Sequence, residues 1–225
     1  MTVTATPPVQ DHHAGALELE PADEQARGEL LAAVEQLHQA EVLPFTGSSN
    51  GSVRLRTRPD RILLSARGLR RDLTAEDFGV VDLDGGLVSG WLDSHVQPVI
   101  AMHTAVYRAH PEVNAVLHTH STNATAFAVA RRPIPLHYEP LLYRGQLEEI
   151  PVTAYGRRSQ GDLVGRVTDA LEAHGQTKAL LLANHGLLAW DSSPLSAATL
   201  VVTIEEAAAI ILAAAPLGGS EAIPT

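Results

Sequence analysis

Apolar residues first recur at helical spacing in the stretch opened by Pro21. There Leu30, Leu31, Val34 and Leu37 line one face and predict a helix ending before Pro44. The pattern then changes period. A turn-forming run from Phe45 to Gly51 leads into Ser52-Val53-Arg54-Leu55-Arg56, which alternates like a strand. Further strands are predicted at Arg61-Ile62-Leu63-Leu64-Ser65 and at Val80-Val81-Asp82-Leu83, the latter entering a hairpin at Asp84-Gly85-Gly86. A helix over about 98–109 precedes a strand over 113–120, and another helix runs through Thr125 to Val129. A strand is expected near 149–153. A longer amphipathic helix carries Leu163, Val167 and Leu171 and should end at His174-Gly175 with a left-handed glycine cap. Strands over 178–183 and 187–190 flank Asn184-His185-Gly186, and a last helix spans about 195–214.

Strands and helices interleave irregularly, with hairpins among them and no internal repeat. This predicts a single α/β domain over 21–216 with a mixed sheet covered on both faces, between flexible tails at 1–20 and 217–225. A chain of 225 residues can bury one substantial core.

Composition narrows the chemistry. With 16 basic against 26 acidic side chains the net charge is −10, and no basic stripe appears, so no nucleic-acid partner is expected. The chain has no cysteine, which excludes disulfides, thiolate ligands and thiol nucleophiles; any metal must be held by His, Asp or Glu. No secretory leader is visible. The apolar stretches read as too short for a bilayer, with Glu205-Glu206 interrupting the C-terminal one, so no membrane is expected and the cytoplasm is the default.

The most informative residues are His118-Thr119-His120 and Asn184-His185-Gly186. Side chains alternate along a strand, so two histidines one residue apart project to one side. His185, in a Gly-bearing turn after an apolar strand, can then close a facial three-nitrogen site with open positions, a recurring arrangement for catalytic zinc. The bland alternative is a pair of sheet-edge histidines satisfied by neighbouring hydrogen bonds. Period-2 spacing together with the third histidine favours metal. His12-His13 read as a solvated pair on a loose arm, His174 as a helix-end residue, and His38, His95 and His110 have no partner at ligand spacing.

The chain resembles the class II aldolase/adducin family over about residues 25–215. The resemblance rests on Thr46-Gly47-Ser48-Ser49-Asn50-Gly51-Ser52-Val53-Arg54, Ala115-Val116-Leu117-His118-Thr119-His120-Ser121, Pro133-Ile134-Pro135-Leu136-His137-Tyr138 and Ala183-Asn184-His185-Gly186-Leu187, in the family's order. It implies a three-layer α/β/α domain with a largely antiparallel sheet, and His118, His120 and His185 as ligands of a divalent ion. Zinc comes first, with iron, manganese and cobalt open. It also implies a homotetramer with active sites between subunits, acting on a small-molecule substrate. The implied reaction is that of a metal-dependent lyase. The ion holds hydroxyl and carbonyl oxygens of a sugar-phosphate-like compound and stabilises an enediolate.

One departure matters. Aligning the family's helix histidine with His103 puts Gln97, Pro98 and Val99 where fuculose-phosphate-type aldolases carry Ser-Ser-Glu. Val99 can neither accept nor donate a proton. His103 is then expected to orient the site rather than bind metal. Glu139 falls where the methylthioribulose-1-phosphate dehydratase branch places its catalytic Glu, though it reads equally well as a solvated carboxylate before Pro140. Tyr138 matches the tyrosine that the aldolase branch uses as an acid from a neighbouring subunit. Asn50 and Ser49, in the first anion loop, and Arg67 and Gly68, in the second, are candidates for holding substrate. Aldol cleavage leads by the family's habit. Dehydration through Glu139, an iron-dependent oxygenase or decarboxylase, and a non-catalytic adducin-like module are the alternatives.

Overall fold

The computed structural model describes residues 11–44, 49–157 and 162–224. Most of the predicted turn-forming run, Phe45-Thr46-Gly47-Ser48, lies outside the described residues.

Eight strands form one sheet: β1 (His12–His13), β2 (Asn50–Arg54), β3 (Arg61–Ser65), β4 (Phe78–Asp82), β5 (Leu87–Leu92), β6 (Ala115–Thr119), β7 (Ala179–Leu182) and β8 (Gly186–Asp191). Their spatial order is β1-β5-β4-β3-β2-β6-β8-β7. Every pairing between these strands is antiparallel, in keeping with the largely antiparallel sheet that the resemblance implied. The predicted strand near 149–153 is reduced to two isolated bridges, Ile134 with Ile150 (antiparallel) and Val152 with Leu181 (parallel). His12 and His13, placed in the tail by the sequence pattern, instead pair with Leu92 and Trp91 and extend the sheet edge.

Two helical layers cover the sheet. On one face α1 (Pro21–Gln39), α3 (Thr122–Ala130), the single turn α4 (Pro140–Tyr143) and α6 (Pro194–Ala214) enclose a core that includes Leu30, Leu117, Leu141 and Ile204. On the other, α2 (Gln97–Ala109) and α5 (Asp162–Ala173) bury Val99, Val106, Val167 and Leu171 against Val116 and Leu188. The alternation within β6 is clear: Ala115 and Leu117 face the first layer and Val116 the second. His118 therefore projects toward α2, the same side as Val116.

Element ends have local causes. Ser193 caps α6 by accepting from the Ser196 N–H at 3.2 Å, with Pro194 following in the first turn. Strand β2 ends at Arg54 rather than Arg56 because the chain turns there to meet Asp23 of α1. The fully buried Asp23 carboxylate accepts from the N–H groups of Arg56 (2.7 Å) and Thr57 (3.1 Å), and from the Thr57 hydroxyl. Asp23→Ala should lower the unfolding free energy by about 2–3 kcal/mol, since buried donors lose a charged acceptor. Denaturant titration would show it as a lower midpoint at unchanged slope. At the end of α5, Gly175 does not take the left-handed cap expected from sequence.

The segment Pro194–Leu217, with 24 residues at a hydropathy of 1.9, is long and apolar enough by length and composition to cross a membrane, contrary to the sequence reading. Its apolarity has another use here. Ala197, Leu200, Val201, Ile204 and Ala208 are buried in the first core, the role of a central helix between α1 and α3.

Candidate metal centre

The ends of β6 and β8 meet at the histidines. Register places His118 opposite Leu188 and Thr119 opposite Leu187, so the β7–β8 turn lies beside the segment that follows β6. Asn184 makes that turn with φ +59°, and its Oδ1 accepts from Arg131 Nε at 2.8 Å. The left-handed position of the Asn-His-Gly turn is thus taken by asparagine, which tolerates it better than other residues with a Cβ. Gly186 serves a different need. A Cβ there would come within 2.5 Å of both His120 Cδ2 and the Thr119 carbonyl oxygen, and 3.3 Å from His118 Cε1.

The three rings converge. His118 Nε2 and His185 Nε2 are 3.0 Å apart, His120 Nε2 and His185 Nε2 are 3.3 Å apart, and one ligand atom from each histidine fits within 4.8 Å. An ion bound at about 2.0–2.1 Å to imidazole nitrogens sets its ligands roughly 3.0–3.4 Å apart, between octahedral and tetrahedral geometry. The donor set therefore fits a divalent cation. Tautomer supports the same reading. His118 Nδ1 donates to the Leu187 carbonyl at 2.9 Å, which leaves its Nε2 lone pair directed at the cluster. Burial, then the neighbouring His120 and His185, hold His118 well below the usual histidine range, so it is neutral as a ligand must be. Sequence reasoning missed the Leu187 carbonyl, because every residue carries one and only register brings this one to His118.

Asn50 lies directly opposite His118 across the β2–β6 pair, so its side chain shares the face of the first ligand. Ser49 precedes it. Its hydroxyl is buried and, among the described residues, without a hydrogen-bond partner, while its carbonyl accepts from the Leu69 N–H at 2.7 Å. That bond ties the segment at Ser49 to the one at Leu69, and Gly68 provides the turn with φ +91°. Arg67 is already engaged: its Nε is 3.0 Å from Asp77 Oδ1 and its Nη2 donates to Asp77 Oδ2 at 3.0 Å. Burial pushes Asp77 up, but hydrogen bonds from Thr74 and the Arg67 charge outweigh it and keep the carboxylate ionised. An anion at Arg67 would have to compete with that carboxylate. Arg70 pairs with Asp72 at 2.9 Å, on the surface.

The protonic groups are distributed less simply. Val99 is 3% exposed and packs in the α2 core, so that position supplies no proton carrier. His103, one turn further along α2, is fully buried. Its Nδ1 lies 2.7 Å from Ser52 Oγ, which also contacts the Tyr107 hydroxyl at 3.0 Å. Burial lowers His103 to about 3, so it stays neutral, and it does not belong to the ligand cluster. Tyr138 lies on the face of the sheet opposite His118, and exposed Glu139 follows it at the start of α4. Tyr138 and Leu141 pack with the α1/α3/α6 core, whereas His118 faces α2. Burial and hydrogen bonding to Glu206 raise Tyr138, and exposed Glu139 accepts from the Tyr143 hydroxyl at 3.0 Å. Within one chain these two residues are not brought to the histidines. The discounted histidines are used elsewhere: His174 on Glu148 (3.1 Å), His38 on the Leu69 carbonyl (3.0 Å) and His110 stacked on Trp190.

Comparison with known proteins agrees with this geometry. Residues 28–212 match the model of the Class II Aldolase and Adducin N-terminal domain. A methylthioribulose-1-phosphate dehydratase of Yersinia enterocolitica is 31% identical over 175 residues, covering 74% of this chain and 81% of that protein. A 3-oxo-tetronate 4-phosphate decarboxylase of Haemophilus influenzae is 30% identical over 175 residues, covering 73% and 77%. Among solved structures, an L-fuculose 1-phosphate aldolase superposes with a TM-score of 0.76 at 26% identity, covering 89% of this chain and 91% of that one.

Proposed function

From a chain that belongs to the class II aldolase and adducin family, we propose a metal-dependent lyase acting on a small, sugar-phosphate-like hydroxy-carbonyl compound. His118, His120 and His185 hold the ion. The observation that carries the reading is the convergence of three Nε2 atoms at 3.0 and 3.3 Å separations where the end of β6 meets the start of β8. A bound divalent cation, with zinc the first choice, supplies Lewis acidity toward adjacent hydroxyl and carbonyl oxygens of the substrate.

The chain's own residues do the rest. Asn50, beside His118, donates to a substrate oxygen. The Ser49 hydroxyl and the Gly68 turn receive the anionic end. The proton must come from elsewhere than position 99, because Val99 has nothing to transfer. Glu139 is the carboxylate we assign to that role, acting on the centre of a neighbouring copy. Tyr138 accompanies it. Exposed Val129, Leu142, Tyr143 and Leu147 on and around α3 and α4 suit burial between copies, in keeping with a homotetramer whose sites lie between subunits.

Loss of water through Glu139 is one reading, supported by 31% identity to a methylthioribulose-1-phosphate dehydratase and by the absence of a proton carrier at Val99. Aldol cleavage is the other, favoured by the family's habit and supported by similarity to an L-fuculose 1-phosphate aldolase. Product analysis on hydroxy-ketone phosphates separates them, because elimination yields a deoxy-dicarbonyl and cleavage an aldehyde. Glu139→Gln should retain the metal and lose about 100-fold or more in turnover, the usual scale of a general acid–base. Chains carrying Glu139→Gln mixed with chains carrying His185→Ala should regain activity, because some interfaces then pair an intact Glu139 with an intact metal centre. An unchanged rate in Glu139→Gln would remove the residue from the mechanism.

A further inference from the structure

Glu205 and Glu206 stand out as adjacent carboxylates in an otherwise apolar helix. Glu206 receives Tyr138. Glu205 turns to the start of α3, where its Oε1 accepts from both the Asn123 N–H and Asn123 Nδ2 at 2.8 Å, and its Oε2 from the Ala124 N–H at 2.8 Å.

Those N–H groups are the ones a helix-capping side chain would normally satisfy. The residue in the capping position, Ser121, makes no such bond. Its hydroxyl is instead 2.8 Å from Thr119 Oγ1. The cap of α3 is therefore supplied from a helix more than 80 residues away in sequence, and the carboxylate charge meets the positive end of the helix.

What lies between is the metal ligand. β6 ends at Thr119 and α3 begins at Thr122, so His120 sits on a two-residue link outside both elements. Its direction depends on how the two ends of that link are held. The near end is fixed by pairing of Thr119 with Leu187. At the far end, within α3's first turn, Glu205 accepts three hydrogen bonds.

We infer that Glu205 is a positioning residue for the metal centre: by closing the first turn of α3 it sets the direction of the His120 imidazole. This rests on His118, His120 and His185 forming a metal site. Glu205 touches neither ligand nor substrate in this role. It acts as the outer partners of a metal ligand do, through the backbone of the segment that carries the ring.

The test uses the full chain, with zinc affinity measured by chelator competition and the absorption bands of the cobalt-substituted protein as the probe of ligand geometry. Glu205→Ala should weaken zinc binding by about 10- to 100-fold and alter the cobalt bands. Glu205→Gln keeps the length and one acceptor but turns an NH2 toward one of the N–H groups, so it should lie between wild type and alanine. It decides the matter if Glu205→Ala does not fold. Val201→Ala, one turn away in the same buried helix, should reduce thermal stability while leaving zinc affinity and cobalt bands as in wild type. Unchanged zinc affinity and cobalt bands in folded Glu205 variants would overturn the positioning role alone. A wild-type chain that binds neither ion would overturn the metal site with it.

Discussion

His185→Ala should give a folded protein that no longer retains a divalent cation and no longer turns over substrate. The ring projects from a turn rather than from a packed strand, and it is not among the fully buried side chains. Its loss removes little of the core, so the circular dichroism spectrum should match wild type. Four-ligand zinc sites are worth about 10–16 kcal/mol, or roughly 3–4 kcal/mol per ligand. Removing one of three should therefore weaken binding roughly 100- to 1,000-fold. Thermal unfolding gives an independent readout. Zinc that binds only the folded state raises the melting temperature with concentration in wild type, and that rise should vanish in His185→Ala. His118→Ala and His120→Ala should lose metal in the same way. A variant with full activity and wild-type zinc content would end the metal-centre reading.

Gly186→Ala is expected to do nearly as much damage without removing any ligand. The added methyl would lie 2.5 Å from the Thr119 carbonyl oxygen and from His120 Cδ2. The carbonyl cannot yield, because Thr119 is paired with Leu187 in the sheet. Relief must come from rotating His120 away or from parting the ends of β6 and β8. Overpacking of this kind costs about 1–3 kcal/mol, and a displaced ligand should weaken zinc binding at least about tenfold on the scale seen when a ligand's support is lost. Zinc titration with a denaturation curve on the same sample would show both effects. Gly186→Ala with wild-type affinity would mean that the turn adapts and that the close approach is not required.

Much of this was legible in the residues. The short apolar run within Arg61–Ser65 marked a strand correctly to both ends, and His118 and His120 belonged to one face because period 2 is a local rule. The third histidine was readable as a candidate because it sits in an Asn-His-Gly turn between two apolar strands, and the structure brings it to the other two. Other features were not. The stretch at 149–153 has strand-like residues, but it meets Ile134 and Leu181 at single bridges only. His12-His13 looked like tail because neighbours rich in Thr, Pro and Ala, with no apolar period, do not predict pairing with Trp91 and Leu92. The left-handed residue of the metal turn is Asn184, while Gly186 is required by contacts from residues 66 or more positions earlier.

Periodicity, turn chemistry and residue type were thus enough to specify an α/β domain, its main helices and strands, and three imidazoles suited to one ion. These are properties of neighbours a few positions apart, and the chain states them directly. Packing alone decided that Val99 is sealed in the α2 core, that Tyr138 stands across the sheet from His118, and that Glu205 closes the turn beside His120. Such relations depend on strand register and on which face each helix covers. Both are settled by burial of the whole core, which no local pattern encodes.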